Sequence, residues 1–190
     1  MTNLKSIPGY VDVWDNYDSD LNRKRWNLLL EFIKLSPEGK ILDIGERNPF
    51  TEILEQHFKR RIENTGLLDL DTEKLQGSYK TIFCFEVIEH LMNPLFFMRN
   101  CLEILEDESK MYISTPLRKP EVLRDNETHF NEYRPKELHR LFNKAGFKIN
   151  RLRIVRHIPS SWLFKGIRPA LRYLFFGRNI QVELNKKFSN

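Results

Sequence analysis

An α/β fold with a mostly parallel sheet and helices on both faces is the class this sequence predicts. Three observations predict it. Short apolar runs of strand character, "KILDIG", "TIFCFEV" and "KMYIST", alternate along the chain with segments of helical period. Two of those helices open on an Asn-Pro pair, Asn48-Pro49 and Asn93-Pro94, a capping side chain followed by a residue suited to the first helical position. Acidic turns follow the strand-like runs. Strand–helix alternation of this kind builds one layered domain, and 190 residues suffice for a single core.

The elements follow in order. Residues 1 to about 17 mix Pro, Gly, Asp and Asn and read as an arm. "SDLNRKRWNLLLEFIKL" reads as a helix capped by Ser19 or Asp20, with Trp26, Leu29, Leu30 and Ile33 on its apolar face. "KILDIG" is a short buried strand, and the helix from Asn48-Pro49 continues through "FTEILEQHF". "RIENTGLLDLD" has strand-like apolar content ending in acids. "TIFCFEVIEHL" begins as a central strand, β-branched and aromatic. The helix "LFFMRNCLEILED" precedes "KMYIST", a strand ended by Pro116. "PKELHRLFNKAGF" is a helix with Pro135 in its first turn and Gly146 past its end. "FKINRLRIV" alternates as an outer strand. The division is an arm and helix over 1–35, a core over 36–157, and a basic aromatic tail or lid over 158–190.

Composition narrows the classes. Hydrophobic residues make up 41% and charged residues 30%, an ordinary globular balance. No apolar run approaches the ~20 residues of a membrane span, and "MTNLKSIPGY" lacks the charged and apolar regions of a signal peptide. Cys84 and Cys101 form no CxxC pair and are too few for a disulfide framework. They read as a strand residue and a helix-face residue, consistent with a cytoplasmic location. A net charge of +5 permits an anionic partner without demanding one.

In sheets of this class ligands sit beyond the carboxyl ends of the strands, where each acidic turn falls. Asp43 ends the first strand, Gly45 permits a tight bend, and the helix start at Asn48-Pro49 aims backbone N–H groups toward the crevice. A carboxylate in "LLDLD", Asp69 or alternatively Asp71, can accept the hydroxyls of a ribose. Glu86, Glu89 and His90 fall at the end of a strand and in the turn after it.

The run "EVIEHLMNP" resembles the segment after the fourth strand of class I S-adenosylmethionine-dependent methyltransferases, a Rossmann-like sandwich. "ILDIG" is similar to their first motif, "LDLDTEKL" to the acidic segment after it, and "KMYISTP" to their fifth strand with its Ser-Thr-Pro turn. The likeness covers about residues 20 to 155. It implies S-adenosyl-L-methionine as cofactor, contacted by Asp43, Gly45, Glu46, Arg47, Asp69 or Asp71, and Glu86. It places Glu89, His90 and His129 toward the acceptor, a small-molecule or lipid-linked compound.

The departures are as informative. Where the family carries D-x-G-x-G-x-G, this chain has Asp43-Ile44-Gly45-Glu46-Arg47-Asn48-Pro49, with two glycines replaced. Arg47 is then placed to meet the methionyl carboxylate of the cofactor; alternatively Arg47 or Phe50 fills the pocket and nothing binds. Lys80 stands where an acid usually begins strand four. The stretch from Gly45 to Thr81 is too short for the usual complement of elements, so one βα unit is shortened or lost. Glu86, Glu89, His90 and His129 resemble the Glu/His divalent-metal set of small-RNA 2′-O-methyltransferases; many relatives with "EVIEH" use no metal, and the metal-free reading is preferred. In residues 160–178, Leu163, Ile167, Leu171 and Leu174 at helical spacing lie among Lys165, Arg168, Arg172 and Arg178. They read as a sheet-edge pack or lid, as a peripheral membrane contact, or as a basic strip for RNA. The altered glycine motif also motivates a different class, a catalytically inactive binding or regulatory protein.

Overall fold

The computed structural model describes residues 20–35, 38–120 and 129–187. The arm expected before residue 17 and the Ser19 cap lie outside the described residues. Six strands form one sheet in the order β2-β1-β3-β4-β6-β5. They are β1 (Ile41–Asp43), β2 (Glu63–Asn64), β3 (Tyr79–Phe85), β4 (Leu105–Pro116), β5 (Phe147–Arg156) and β6 (Arg178–Lys186). The pairs β2–β1, β1–β3 and β3–β4 are parallel, whereas β6 is antiparallel to both β4 and β5. The helices are α1 (Asp20–Phe32), α2 (Pro49–Phe58), α3 (Pro94–Ile104), α4 (Pro135–Ala145) and α5 (Ile167–Phe175).

Strand alternation divides the core between the two faces. On one face Leu42, Ile82, Cys84 and Ile113 pack with Phe97, Met98, Cys101 and Phe142 of α3 and α4. On the other, Ile41, Phe83 and Tyr112 pack with Trp26, Leu29 and Phe32 of α1 and with Phe50 and Leu54 of α2. A sheet covered on both sides explains why β3 reads as a continuous apolar run. Asn48 caps α2, its Oδ1 accepting from the Phe50 and Thr51 amides at 2.9 and 3.1 Å, and Pro49 occupies the first turn. Asn93 does the same for α3 with the Phe96 amide.

Two segments differ from the sequence expectation. The strand character of "RIENTGLLDLD" is realised only at Glu63–Asn64, and neither strand nor helix lies between Asn64 and Tyr79. Gly66, at φ 67°, turns the chain away from the sheet, and Leu67 is exposed. This is the lost βα unit: without another strand at that edge, the apolar residues of "LLDLD" have no ladder to join. The second difference is in the region read as a tail. Its residues Arg178–Lys186 are an interior strand, with Ile180, Val182 and Leu184 fully buried. The polar alternates are buried as well, because each meets a partner on a neighbouring element. Glu183 pairs with Arg151 and accepts from Asn150 Nδ2 at 2.5 Å, and Gln181 Oε1 accepts from Arg153 Nε at 2.8 Å.

Candidate active site at the ends of β1 and β3

The chain leaves β1 toward β2 on one side and returns to β3 on the other. The order therefore reverses between β1 and β3, and such a switch point opens a crevice at the carboxyl ends of the strands. A pocket of about 270 Å³ lies there, lined by Arg25, Trp26, Asp43–Glu46, Asn48, Phe50 and Phe85–Val87 among others.

Asp43 is buried at the floor. Its Oδ2 accepts from Thr51 Oγ1 at 2.6 Å and from Asn64 Nδ2 at 3.4 Å. Burial outweighs these donors and raises its carboxyl from 3.8 to about 6. Gly45 follows at φ 107°, and a Cβ built there would meet nothing within 4 Å. The bend is thus imposed by backbone conformation, and the space above it is open. The loop is tied to the chain after β2: Gly45 N donates to Thr65 Oγ1 at 2.7 Å, and Gly66 N donates to Gly45 O at 3.1 Å. The first amides of α2 are not free for a ligand as expected, because Asn48 Oδ1 accepts from two of them.

Glu86 ends β3 in the left-handed region, φ 57°, a strained conformation for this residue. Three other elements hold its side chain. Oε1 accepts from Ser114 Oγ at 2.6 Å and from Asn179 Nδ2 at 2.8 Å, and Oε2 pairs with Arg25 Nη1 at 3.2 Å. Arg25, Ser114 and Asn179 were given no role by the sequence reading. Ser114 lies in the segment similar to the family's fifth strand, and nothing local marks Arg25 or Asn179.

Several expected cofactor residues are occupied elsewhere. Arg47, in the loop before α2, reaches back along that helix, with Nη2 2.5 Å from Glu55 Oε2 and Nε 4.0 Å from Glu52 Oε1. It neither fills the pocket nor lines it among the described residues; Phe50 does line it. Asp69 organises its own turn: Oδ1 accepts from the Asp71 amide, and Oδ2 accepts from Thr72 Oγ1 at 2.6 Å. Asp71 accepts from the Met92 and Asn93 amides at 3.1 and 2.6 Å, fixing the entry to α3. Lys80 is at the opposite end of β3, its Nζ donating to Asp107 O at 2.7 Å.

The residues expected to face the acceptor do converge. A 3₁₀ turn over Ile88–His90 places Glu89 inside the protein, where Oε2 accepts from Thr115 Oγ1 at 3.1 Å and Oε1 has no hydrogen-bond partner. Burial first, then the charge of Glu86, pushes its carboxyl well above the usual range. The His90 and His129 rings meet edge to face at 4.8 Å. Ligand atoms of Glu89, His90 and His129 lie within 4.8 Å of one another, a donor set of the kind borderline divalent ions accept. Glu86, held by Arg25, Ser114 and Asn179, is outside that group. His129 is 3.8 Å from Glu132 Oε1, yet burial and His90 lower its pKa. The loop carrying it is laced to the 3₁₀ turn, Asn131 N donating to Glu89 O at 3.0 Å. His157, another half-buried imidazole, sits near Arg25 and Glu86, and burial lowers its pKa too.

Comparison with known proteins agrees with this architecture. A family model described as a methyltransferase domain matches residues 13–152. No curated relative matches the sequence. The N-methyltransferase NodS of Bradyrhizobium japonicum, solved with S-adenosyl-L-homocysteine, superposes with a TM-score of 0.63 at 14% identity, over 95% of this chain and 94% of that one. A geranyl diphosphate C-methyltransferase of Streptomyces coelicolor, solved with Mg²⁺, geranyl diphosphate and S-adenosyl-L-homocysteine, gives 0.63 at 12% identity, over 87% and 78%. An S-adenosylmethionine-dependent methyltransferase of Mesorhizobium loti gives 0.62 at 11% identity, over 86% and 98%. At these identities the likeness is one of fold.

Proposed function

This chain belongs to the methyltransferase-domain family, and from that premise we propose that it transfers the methyl group of S-adenosylmethionine to a small-molecule or lipid-linked acceptor. The carrying observation is the pocket at the switch point, where the carboxylates of Asp43, Glu46 and Glu86 surround the open backbone at Gly45. Those acceptors and their negative charge fit a ligand with an ammonium and a sulfonium. The bound cofactor supplies an already activated methyl group, so the protein's work is chiefly alignment. Glu86, immobilised from three sides, presents a fixed negative charge to the cationic end. Arg25 stands in the pocket where Arg47 was expected, and its guanidinium suits the methionyl carboxylate. On the acceptor side, a neutral His129 imidazole suits proton uptake if the attacking atom must lose one.

A second reading is favoured by one observation. Asn64, followed by Thr65, rather than an acid ends β2, and Asp69 and Asp71, the acids that follow, are bound to Thr72 and to the amides that open α3. A methyltransferase fold kept as a non-catalytic binding module accounts for that. Titration calorimetry with S-adenosylhomocysteine separates the two. Micromolar affinity, weakened on Glu86→Gln, supports transfer. Absence of heat from a protein that melts cooperatively supports the binding module.

A further inference from the structure

We infer that the hairpin carrying α5 is an interfacial contact for an anionic lipid bilayer. The 3₁₀ turn Ser160–Phe164 and α5 leave the sheet between the end of β5 and the start of β6. Both β5 and β4 run antiparallel to β6, so the hairpin rises from the end of the sheet at which Glu86 lies. Its base is fixed. Ile158 is buried, and Gly177 has φ 65°, where a Cβ would lie 2.3 Å from Ile158 Cγ1. The Arg156 guanidinium stacks 4.0 Å over the Tyr173 ring. Above that base, α5 packs mainly on the 3₁₀ turn.

An amphipathic helix normally turns its apolar stripe to the core. Here the apolar residues face outward: Phe164 is 88% exposed, Ile167 81%, Leu171 48% and Leu174 47%. From Ile158 through Val182 the sequence has no Asp or Glu. Lys165 and Arg168, with Trp162, Pro169 and Leu171, line a cleft of about 600 Å³ at this surface. Apolar side chains at the acyl boundary with cations at phosphate level are the chemistry of an interfacial helix. A second copy of the same face is a poor occupant, because it would set Lys165 and Arg168 against their equivalents. The contact is independent of methyl transfer, although it would bring a lipid-linked acceptor to the end of the sheet where the cofactor is proposed to bind.

Co-sedimentation of the full chain with vesicles tests the assignment. Binding is expected to equimolar phosphatidylglycerol and phosphatidylcholine at low salt, and not to phosphatidylcholine alone. Lys165→Gln with Arg168→Gln should weaken partition about thirtyfold, a factor of about five for each cation near an anionic surface. Phe164→Ser with Ile167→Ser should abolish it; both residues are exposed, so an unchanged melting temperature is expected. Failure to bind anionic vesicles overturns the inference, as does binding that neither pair of substitutions alters. A dimer that Phe164→Ser with Ile167→Ser converts to monomer would overturn it too, reassigning the face to a second copy.

Discussion

Asn179 and Glu86 lie 93 positions apart in sequence and 2.8 Å apart in space, Asn179 Nδ2 donating to Glu86 Oε1. The contact joins the first residues of β6 to the end of β3 and bridges the antiparallel part of the sheet to the pocket. Asn179→Ala removes one donor from a carboxylate already held in a left-handed backbone. A hydrogen bond to a charged group contributes about 1.5–3 kcal/mol. Urea denaturation should show a loss in that range, and calorimetry should show weaker S-adenosylhomocysteine binding. Unchanged affinity would mean that Ser114 and Arg25 alone orient Glu86.

Arg25 and Arg47 make opposite predictions. Arg25 lines the pocket and pairs with Glu86, whereas Arg47, just before α2, pairs with Glu55 on that helix. Arg25→Ala should weaken S-adenosylhomocysteine binding by about tenfold or more, the scale of one charge-assisted contact. Arg47→Ala should leave affinity within about twofold, since exposed pairs contribute little. The reverse outcome in calorimetry would mean that Arg47 swings from Glu55 to the ligand.

These two arginines also show what the sequence discloses. Asn48-Pro49 and Asn93-Pro94 are legible because capping is chemistry within four residues, and "TIFCFEV" is legible because a doubly covered strand needs apolar residues on both faces. The strand β6 is not. Asn179, Gln181 and Glu183 read as solvent-facing polar residues and are buried only because Glu86, Arg153 and Arg151 reach them from distant parts of the chain. Arg25 likewise reads as one cation of the helix "SDLNRKRWNLLLEFIKL", 61 positions from the carboxylate it meets. Asp69 and Asp71 show the converse: the residue type suits a ribose, but the missing βα unit leaves both acids to organise turns. The convergence of Glu89, His90 and His129 was partly legible, as two of the three are adjacent in sequence.

Gly45 makes a third prediction, about strain without clash. At φ 107° a side chain is disfavoured, yet a methyl group would find open space. Gly45→Ala should therefore cost about 1–2 kcal/mol in urea denaturation, through backbone conformation alone. The same methyl group would stand where the ligand approaches, so calorimetric affinity should fall further than stability does. Equal affinity in the variant would place the ligand elsewhere.

Asp43 sets a pH dependence. Its carboxyl titrates at about 6 in the folded chain against 3.8 when unperturbed. The native state thus holds a proton that the unfolded chain has released, and this group's contribution to stability is greatest at acid pH. It is lost as pH rises from about 4 to about 6 and is level above that, a change of about 3 kcal/mol. Asp43→Asn should remove that slope while keeping an acceptor for Thr51. The check is the difference in urea stability between wild type and variant at pH 4.5 and at pH 7. A cationic ligand favours the ionised form, so S-adenosylmethionine affinity should fall as pH falls through 6.

Glu89 gives the last prediction, with the same sign and a different partner set. Buried beside Glu86 with one oxygen unpartnered, it is driven toward its neutral form. Glu89→Gln replaces a carboxyl that resists ionisation with a neutral group of the same shape. The variant should gain stability relative to wild type as pH rises above about 4.5, where the unfolded glutamate ionises and the native one does not. Thermal melts across pH 4 to pH 8 read this directly. The cluster with His90 and His129 supplies the alternative. If the protein holds a divalent ion there, its melting temperature drops on addition of chelator, and Glu89→Gln lowers it at neutral pH and abolishes the chelator effect. A rise in melting temperature, insensitive to chelator, identifies Glu89 as a neutral hydrogen-bonding wall of the acceptor side.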